Sequence, residues 1–178
     1  MNSVIDEDRI VVRDATVADM IQIQKIYTYE VLHGLATFEE TPPSVDEMNT
    51  RRVSILNLGL PYLIAVVEDR LVGYAYASSY RPRPAYQNTI EDSVYVEQGS
   101  LGQGIGKRLL STLIERCELS RPGQMVAVIG DSENIGSITL HRRLGFRMVG
   151  TLEAVGFKFG RWVDTVLMQR TIEEKNND

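Results

Sequence analysis

Cysteine is almost absent from this 178-residue chain: Cys117 stands alone. A single thiol forms no intrachain disulfide, and no Cys/His spacing suits zinc. Histidine is scarce too, with only His33 and His141, far apart in sequence. Long apolar runs are missing; Leu63–Val67 falls far short of the roughly 20 residues that cross a bilayer. Positive charge is not in excess. The net charge of −5 argues against a general nucleic-acid surface. Met1 to Arg9 are polar and acidic rather than basic then apolar, so no export signal is read there. Together these absences lead to the expectation of a reducing, cytoplasmic home, with no metal, no membrane and no nucleic-acid partner. What remains is the ordinary composition of one globular domain, 43% hydrophobic and 24% charged. At this length a fold buries about 70% of the unfolded surface, so a core stands without staples.

Periodicity predicts the order β-α-α-β-β-β-α-β-α-β-β. Ile10–Arg13 reads as a short strand. Val17–His33 carries Met20, Ile23, Tyr27 and Val31 at helical spacing, and Gly34 stops it. Ser44 and Glu47 make an S-x-x-E box ahead of a second helix, Val45–Leu58. Tyr62–Glu68 and Leu71–Ser79 are β-rich runs around Asp69-Arg70, a hairpin signal. Tyr80-Arg81-Pro82-Arg83-Pro84 is a loop. Thr89–Val96 alternates, with Ile90, Asp92, Val94 and Val96 on one face and Glu91, Ser93 and Tyr95 on the other. After a glycine-rich loop, a helix runs to about Leu119 on the stripe Ile105, Leu109, Leu113 and Cys117. The thiol on that stripe reads as core. Arg121-Pro122-Gly123 breaks the helix. Met125–Gly130, a short helix Asn134–Arg143, and strands Phe146–Val155 and Lys158–Gln169 follow.

Three consecutive central strands suit antiparallel hairpins. The crossover from Thr89–Val96 to Met125–Gly130 implies a right-handed parallel pair. The expected fold class is α/β (α+β), with a mixed, mostly antiparallel central sheet flanked by helices. Residues 10–171 make the domain, and 1–9 and 172–178 are expected as mobile tails.

Gly102-Gln103-Gly104-Ile105-Gly106-Lys107 is the most informative stretch. Glycine at every second position strips side chains from a strand-to-helix turn. Backbone N–H groups can then approach a ligand, and a helix N-terminus favours anions. Lys107 and Arg108 sit in the first helical turn, where cations oppose the dipole unless an anion is near. A pyrophosphate suits this loop; a flexible, solvent-facing turn is the competing reading. A dinucleotide fingerprint wants G-x-G-x-x-G, and a Walker loop wants G-x-x-x-x-G-K-[ST]; neither is present.

With Val94-Tyr95-Val96 ahead of it, Gly102–Gly106 resembles the acyl-CoA pyrophosphate motif of the GNAT acetyltransferase superfamily. Val126–Gly130, Asn134, Ser137, Leu140-His141, Leu144-Gly145-Phe146 and Lys158–Asp164 resemble its phosphinothricin and methionine sulfoximine N-acetyltransferase branch. Arg13–Thr16, Thr37–Glu39 and Arg81–Tyr86 do so as well. The resemblance spans about Ile10 to Thr171. Leu101 departs from it, standing where the superfamily has Gln or Arg. One side-chain contact to phosphate is thereby in question, with Lys107 and Arg108 as replacements.

The resemblance implies a GNAT-like domain with a β-α-β acyl-CoA-binding core and acetyl-CoA as co-substrate. It implies direct transfer in a ternary complex, without a covalent acyl-enzyme. The backbone of Val94, Tyr95 and Val96 would pair with the acetyl and pantetheine portions. Gly102, Gln103, Gly104, Ile105, Gly106 and Lys107 would hold the pyrophosphate. Asn134 would bind CoA; its other reading is an N-cap. Glu91 would face the acceptor amine as base. His141 matches the position where many acetyltransferases carry a Tyr that protonates the leaving thiolate. Imidazole suits acid or base work, and the proton path between Glu91 and His141 stays open.

For the acceptor, Arg81 and Arg83, stiffened by Pro82 and Pro84, make a fork suited to a carboxylate or phosphinate. Two solvated loop charges are the other reading. Phe38, Tyr86, Ser93 and Lys158 complete the expected acceptor site, with Trp162 as a packing candidate. The branch is generally dimeric, so a homodimer is expected, with part of the acceptor site from the partner. The expected acceptor is the α-amino group of phosphinothricin, methionine sulfoximine or methionine sulfone, a detoxification of glutamine-synthetase inhibitors. A different amine, or a non-catalytic acyl-CoA-binding module, is the alternative.

Overall fold

Strands β1 (Val11–Asp14), β2 (Tyr62–Val67), β3 (Arg70–Ser79), β4 (Thr89–Val96), β5 (Gly123–Gly130), β6 (Arg147–Lys158) and β7 (Arg161–Ile172) join in one sheet. Their order across it is β1-β2-β3-β4-β5-β7-β6. The helices are α1 (Met20–His33), α2 (Val45–Asn57), α3 (Ile105–Ser120) and α4 (Ile135–Arg143). The computed structural model describes residues 9–120 and 123–173. The tail residues 1–8 and 174–178, and the helix break at Arg121-Pro122, lie outside these.

Among the described residues only the β4–β5 pair is parallel, and the other five pairings are antiparallel. This is the mixed, mostly antiparallel sheet that the element order predicts. Alternation along the strands sends side chains to two faces. Tyr95 of β4 meets Tyr27 of α1, with ring centroids 5.3 Å apart, on the face that α1 and α2 cover. Gly73 of β3 faces Leu109 and Ile105 of α3 on the other. Leu109, Leu113 and Cys117 are fully buried, so the α3 stripe and its thiol are core. No helix among the described residues is long and apolar enough to cross a membrane.

Several element boundaries differ from the sequence pattern. β7, expected over Lys158–Gln169, spans Arg161–Ile172, so Ile172, expected in the tail, is a buried strand residue. Val17–Asp19 is a 3-10 turn, and α1 proper begins at Met20. β6 runs three residues beyond Val155, through Gly156, to Lys158. The Phe38 ring lies where a Cβ at Gly156 would be, so this glycine serves close packing inside a strand and does not end it. The real turn is Phe159-Gly160, both at positive φ, a geometry that matches the twist of a two-residue hairpin.

The feature that creates a site is a fork. β4 pairs with β5 from Thr89↔Gln124 only as far as Asp92↔Ala127. Beyond it, β4 continues beside β3 to Val96, while β5 continues beside β7 to Gly130. Each strand keeps its outer partner and loses its inner one.

Candidate functional site

Backbone polarity at the fork follows from two hydrogen bonds. Tyr80 N–H donates to the Thr89 carbonyl at 3.3 Å, and Glu97 N–H to the Val72 carbonyl at 2.8 Å. In an antiparallel ladder, bonded pairs alternate. Residues 91, 93 and 95 therefore address β3, and Asp92, Val94 and Val96 address the β5 side. Since β5 has diverged after Ala127, the amides of Val94 and Val96 open onto the fork. A cleft lies there, lined by Ala36, Asp92 to Tyr95, Ala127 to Gly130, Asn134, Ser137 and His141. An extended ligand with amide groups can pair with Val94 and Val96 as an added strand would. Tyr95 offers the cleft less backbone than expected, because its amides address β3.

The glycine loop abuts the far end of the fork. A Cβ placed on Gly106 would sit 3.7 Å from Val96 and 3.3 Å from Leu140 of α4. Gly102 and Gly104 have φ of +74° and +88°, values that side chains with a Cβ rarely adopt. The first intrahelical bond runs from Arg108 N–H to the Gly104 carbonyl, 3.0 Å. The N–H groups just before it belong to the helix end and have no carbonyl of their own helix. The Ile105 side chain is buried, so only its backbone is available here. The Gln103 amide donates to the Gly99 carbonyl at 3.3 Å and braces the loop. Lys107 is exposed, and Leu101 is 47% exposed.

Glu91 stands in mid-sheet on β4, between Ser78 of β3 and Val126 of β5, and is half-buried. Burial, reinforced by the charge of Asp92, pushes its carboxyl up to about 7, against the pull of Arg81. Ser93, two residues on and on the same face, sits beside the Tyr76 hydroxyl. The Arg81 guanidinium lies over the Tyr80 ring, 5.1 Å from its centroid, and Tyr80 meets Tyr86 edge-on. Arg83 caps the short 3-10 turn Pro84–Tyr86 and is exposed. Arg81 and Tyr86 therefore form one cluster within electrostatic reach of Glu91.

On the opposite face, His141 is 4% exposed. Its Nε2 lies 2.9 Å from Asp92 Oδ2, and its Nδ1 lies 2.7 Å from the Ser137 carbonyl. The Phe146 ring meets it edge-on at 5.0 Å. Burial lowers the imidazole's affinity for its proton, but Asp92 and the Ser137 carbonyl together raise it by more, so the net shift is upward. The Asn134 side chain accepts from Ser137 N–H at 3.1 Å, so the residue caps α4 while also lining the cleft.

Lys158 is the correction among the expected acceptor residues. It is 1% exposed, and its ammonium donates to the carbonyls of Thr37, Gly34 and Glu30 at 2.7, 2.9 and 3.3 Å. A cation suits the carbonyl end of α1, and its three donors are spent on backbone. Burial pulls its pKa below the usual lysine range. Phe38 follows Thr37 and reaches Gly130 and Gly156, so Lys158 anchors the segment that carries Phe38. Trp162 is 66% exposed and packs on Phe157 across the hairpin.

Asp92 escaped the sequence reading as a site residue. Its signal was a carboxylate in the apolar register of Ile90, Val94 and Val96, a burial that demands a partner. A second unforeseen group joins Tyr27, Glu39 and Arg51. The Tyr27 hydroxyl donates to Glu39 at 2.9 Å, and Arg51 donates to the same carboxylate at 2.6 Å. Among the described residues no cluster of three or more His, Cys, Asp or Glu is placed to hold a metal.

Residues 12–167 match the family described as the acetyltransferase (GNAT) domain. The chain is 52% identical over 162 residues to a phosphinothricin N-acetyltransferase of Alcaligenes faecalis, covering 91% of this chain and 81% of that one. It is 39% identical over 163 residues to an L-methionine sulfoximine/L-methionine sulfone acetyltransferase of Pseudomonas aeruginosa, covering 91% and 94%. Among solved structures, a GNAT superfamily phosphinothricin acetyltransferase from Sinorhizobium meliloti, in complex with AcCoA, superposes with a TM-score of 0.89. It is 47% identical and covers 96% of this chain and 92% of that one.

Proposed function

This chain belongs to the GNAT acetyltransferase family, and we propose that it moves the acetyl group of acetyl-CoA to the α-amino group of phosphinothricin, methionine sulfoximine or methionine sulfone. The observation that carries the reading is Glu91, a carboxyl held near neutrality on the strand that opens the fork. The acceptor amine gives a proton to Glu91, and its nitrogen attacks the thioester carbonyl carbon. A C–N bond forms, the C–S bond breaks, and coenzyme A leaves as a thiolate that takes the second proton, the one the nitrogen sheds as it becomes an amide. A base tuned to the working pH suits this step.

The cleft supports acetyl-CoA as the co-substrate. Val94 and Val96 offer amides to the pantetheine, and the loop Gly102–Lys107 offers N–H groups at a helix N-terminus to the pyrophosphate. Leu101 lends no polar group, so this binding leans on backbone and on Lys107. Arg81 and Tyr86 suit an amino acid with a second anionic or strongly polar tetrahedral head. The relatives named for such acceptors support that class. Acetylation would disarm those compounds, which for phosphinothricin is herbicide resistance. The lone cysteine fits a cytoplasmic setting.

A homodimer fits the sheet edge. β6 exposes Met148, Leu152, Val155 and Phe157, and Phe159 and Trp162 extend that surface, each 44–66% exposed. A long apolar edge of this kind is normally covered.

The test is release of free coenzyme A from acetyl-CoA with L-phosphinothricin, L-methionine sulfoximine, L-methionine sulfone, spermidine or no acceptor. Turnover on the first three, with KM for the acceptor raised in Arg81→Ala, supports the reading. Turnover on spermidine alone overturns the acceptor class, and tight binding without any turnover overturns catalysis.

A further inference from the structure

We infer that Asp92 is a positioning residue: it fixes His141 as an imidazolium that donates through both ring nitrogens, which withdraws His141 from proton abstraction and leaves the acceptor's proton to Glu91. The inference rests on the acetyl-transfer reading for its consequence, but its geometry stands alone. A backbone carbonyl only accepts, so the 2.7 Å contact with Ser137 puts a hydrogen on Nδ1. With Asp92 as the carboxylate, which only accepts, the 2.9 Å contact puts a hydrogen on Nε2 as well; a carboxyl that donated to a bare Nε2 is the alternative the spectrum below distinguishes. A ring with two hydrogens is a cation with no lone pair free to take a third proton.

The surroundings agree. The Asp92 and His141 side chains are 2% and 5% exposed. Asp92 Oδ1 is buried without a hydrogen-bond partner among the described residues, which leaves the imidazolium as the group there that stabilises the carboxylate's charge. The groups set against the ring are Asp92 from β4, the Ser137 carbonyl and, farther off at 3.3 Å from Nδ1, the Ser137 hydroxyl from α4, and the edge of Phe146. None of them is a second acid or base for the imidazole. Asp92 also acts through the strand: its charge is one cause of the high proton affinity of Glu91, on the opposite face. One carboxylate thus keeps the histidine charged and tunes its neighbour as base.

The experiment is nitrogen-15 NMR of the histidine rings in the intact chain. His33→Asn removes the one other histidine signal. The expected spectrum shows His141 with a proton on both nitrogens at neutral pH. Asp92→Asn should turn it into a neutral ring with a bare Nε2. In kinetics, the acid limb of kcat/KM should persist in His141→Asn, vanish in Glu91→Gln, and move to lower pH in Asp92→Asn. A bare ring nitrogen in the unaltered protein at neutral pH overturns the inference, as does an acid limb that follows His141. The spectrum needs no acceptor, so a wrong acceptor class leaves it readable. Should Asp92→Asn fail to fold, the unaltered spectrum and the His141→Asn and Glu91→Gln profiles decide.

Discussion

The Lys158 ammonium lies 2.7 Å from the Thr37 carbonyl oxygen, and this bond ties the β6–β7 hairpin to the segment that carries Phe38. Lys158→Met keeps the apolar stem and removes the cation, leaving the Gly34 and Thr37 carbonyls without this donor, while the Glu30 carbonyl keeps the Gly34 N–H at 2.9 Å. Unpaired buried carbonyls cost about 1–3 kcal/mol, which lowers the melting temperature by several degrees in a chain of this size. KM for acetyl-CoA should hardly move. Thermal melts beside initial-rate kinetics check both halves; unchanged melting with a lost acceptor affinity would return Lys158 to the acceptor.

Glu91 sets two opposite expectations. With Glu91 as the proposed base, activity depends on its carboxylate, so kcat/KM should fall as pH drops below about 7, and Glu91→Gln should lose about 10²- to 10⁴-fold in kcat. Stability runs the other way. The folded pKa is raised, so the folded state holds the proton longer than the unfolded chain does. Stability then falls as pH climbs from the ordinary carboxylate range to about 7. Glu91→Gln removes that loss and should be the more stable protein above pH 7, by about 1–2 kcal/mol after solvent screening. Urea unfolding at acid and alkaline pH should show the gap closing on the acid side.

Gly104→Ala, or Gly102→Ala, meets no crowding, since a Cβ at Gly102 has nothing within 4 Å and one at Gly104 only touches Ile10. The cost is conformational, about 1–2 kcal/mol for a left-handed residue with a Cβ. It should appear as a raised KM for acetyl-CoA with little change in acceptor KM. Two-substrate kinetics separate the two.

Phe157→Glu with Trp162→Glu places charge on the exposed hairpin face, where the two rings lie 5.1 Å apart. If that face joins two copies, light scattering should show a dimer become a monomer. A monomer in the unaltered protein would remove the proposed role of the face.

Much of the architecture was legible because it is local. Alternation in Thr89–Val96, the glycine spacing and the stripe Ile105-Leu109-Leu113-Cys117 each encode their own element. The residues misplaced or missed depend on partners far along the chain. Lys158 reads as an available cation until α1 ends more than 120 residues away are brought to it. Asp92 reads as one carboxylate among apolar neighbours until α4 delivers His141 across 49 residues. The fork itself has no local signature, because it arises from where pairing stops rather than from any residue type.

The strand order has a consequence for synthesis. β7 is made after β6 yet lies between β5 and β6 in the sheet. β6 therefore has no neighbour, and β5 lacks its outer partner, until residues 161–172 have left the ribosome and folded in. The far side of the sheet closes only when β7 is placed, and until then its unpaired strands are open to mispairing with other chains.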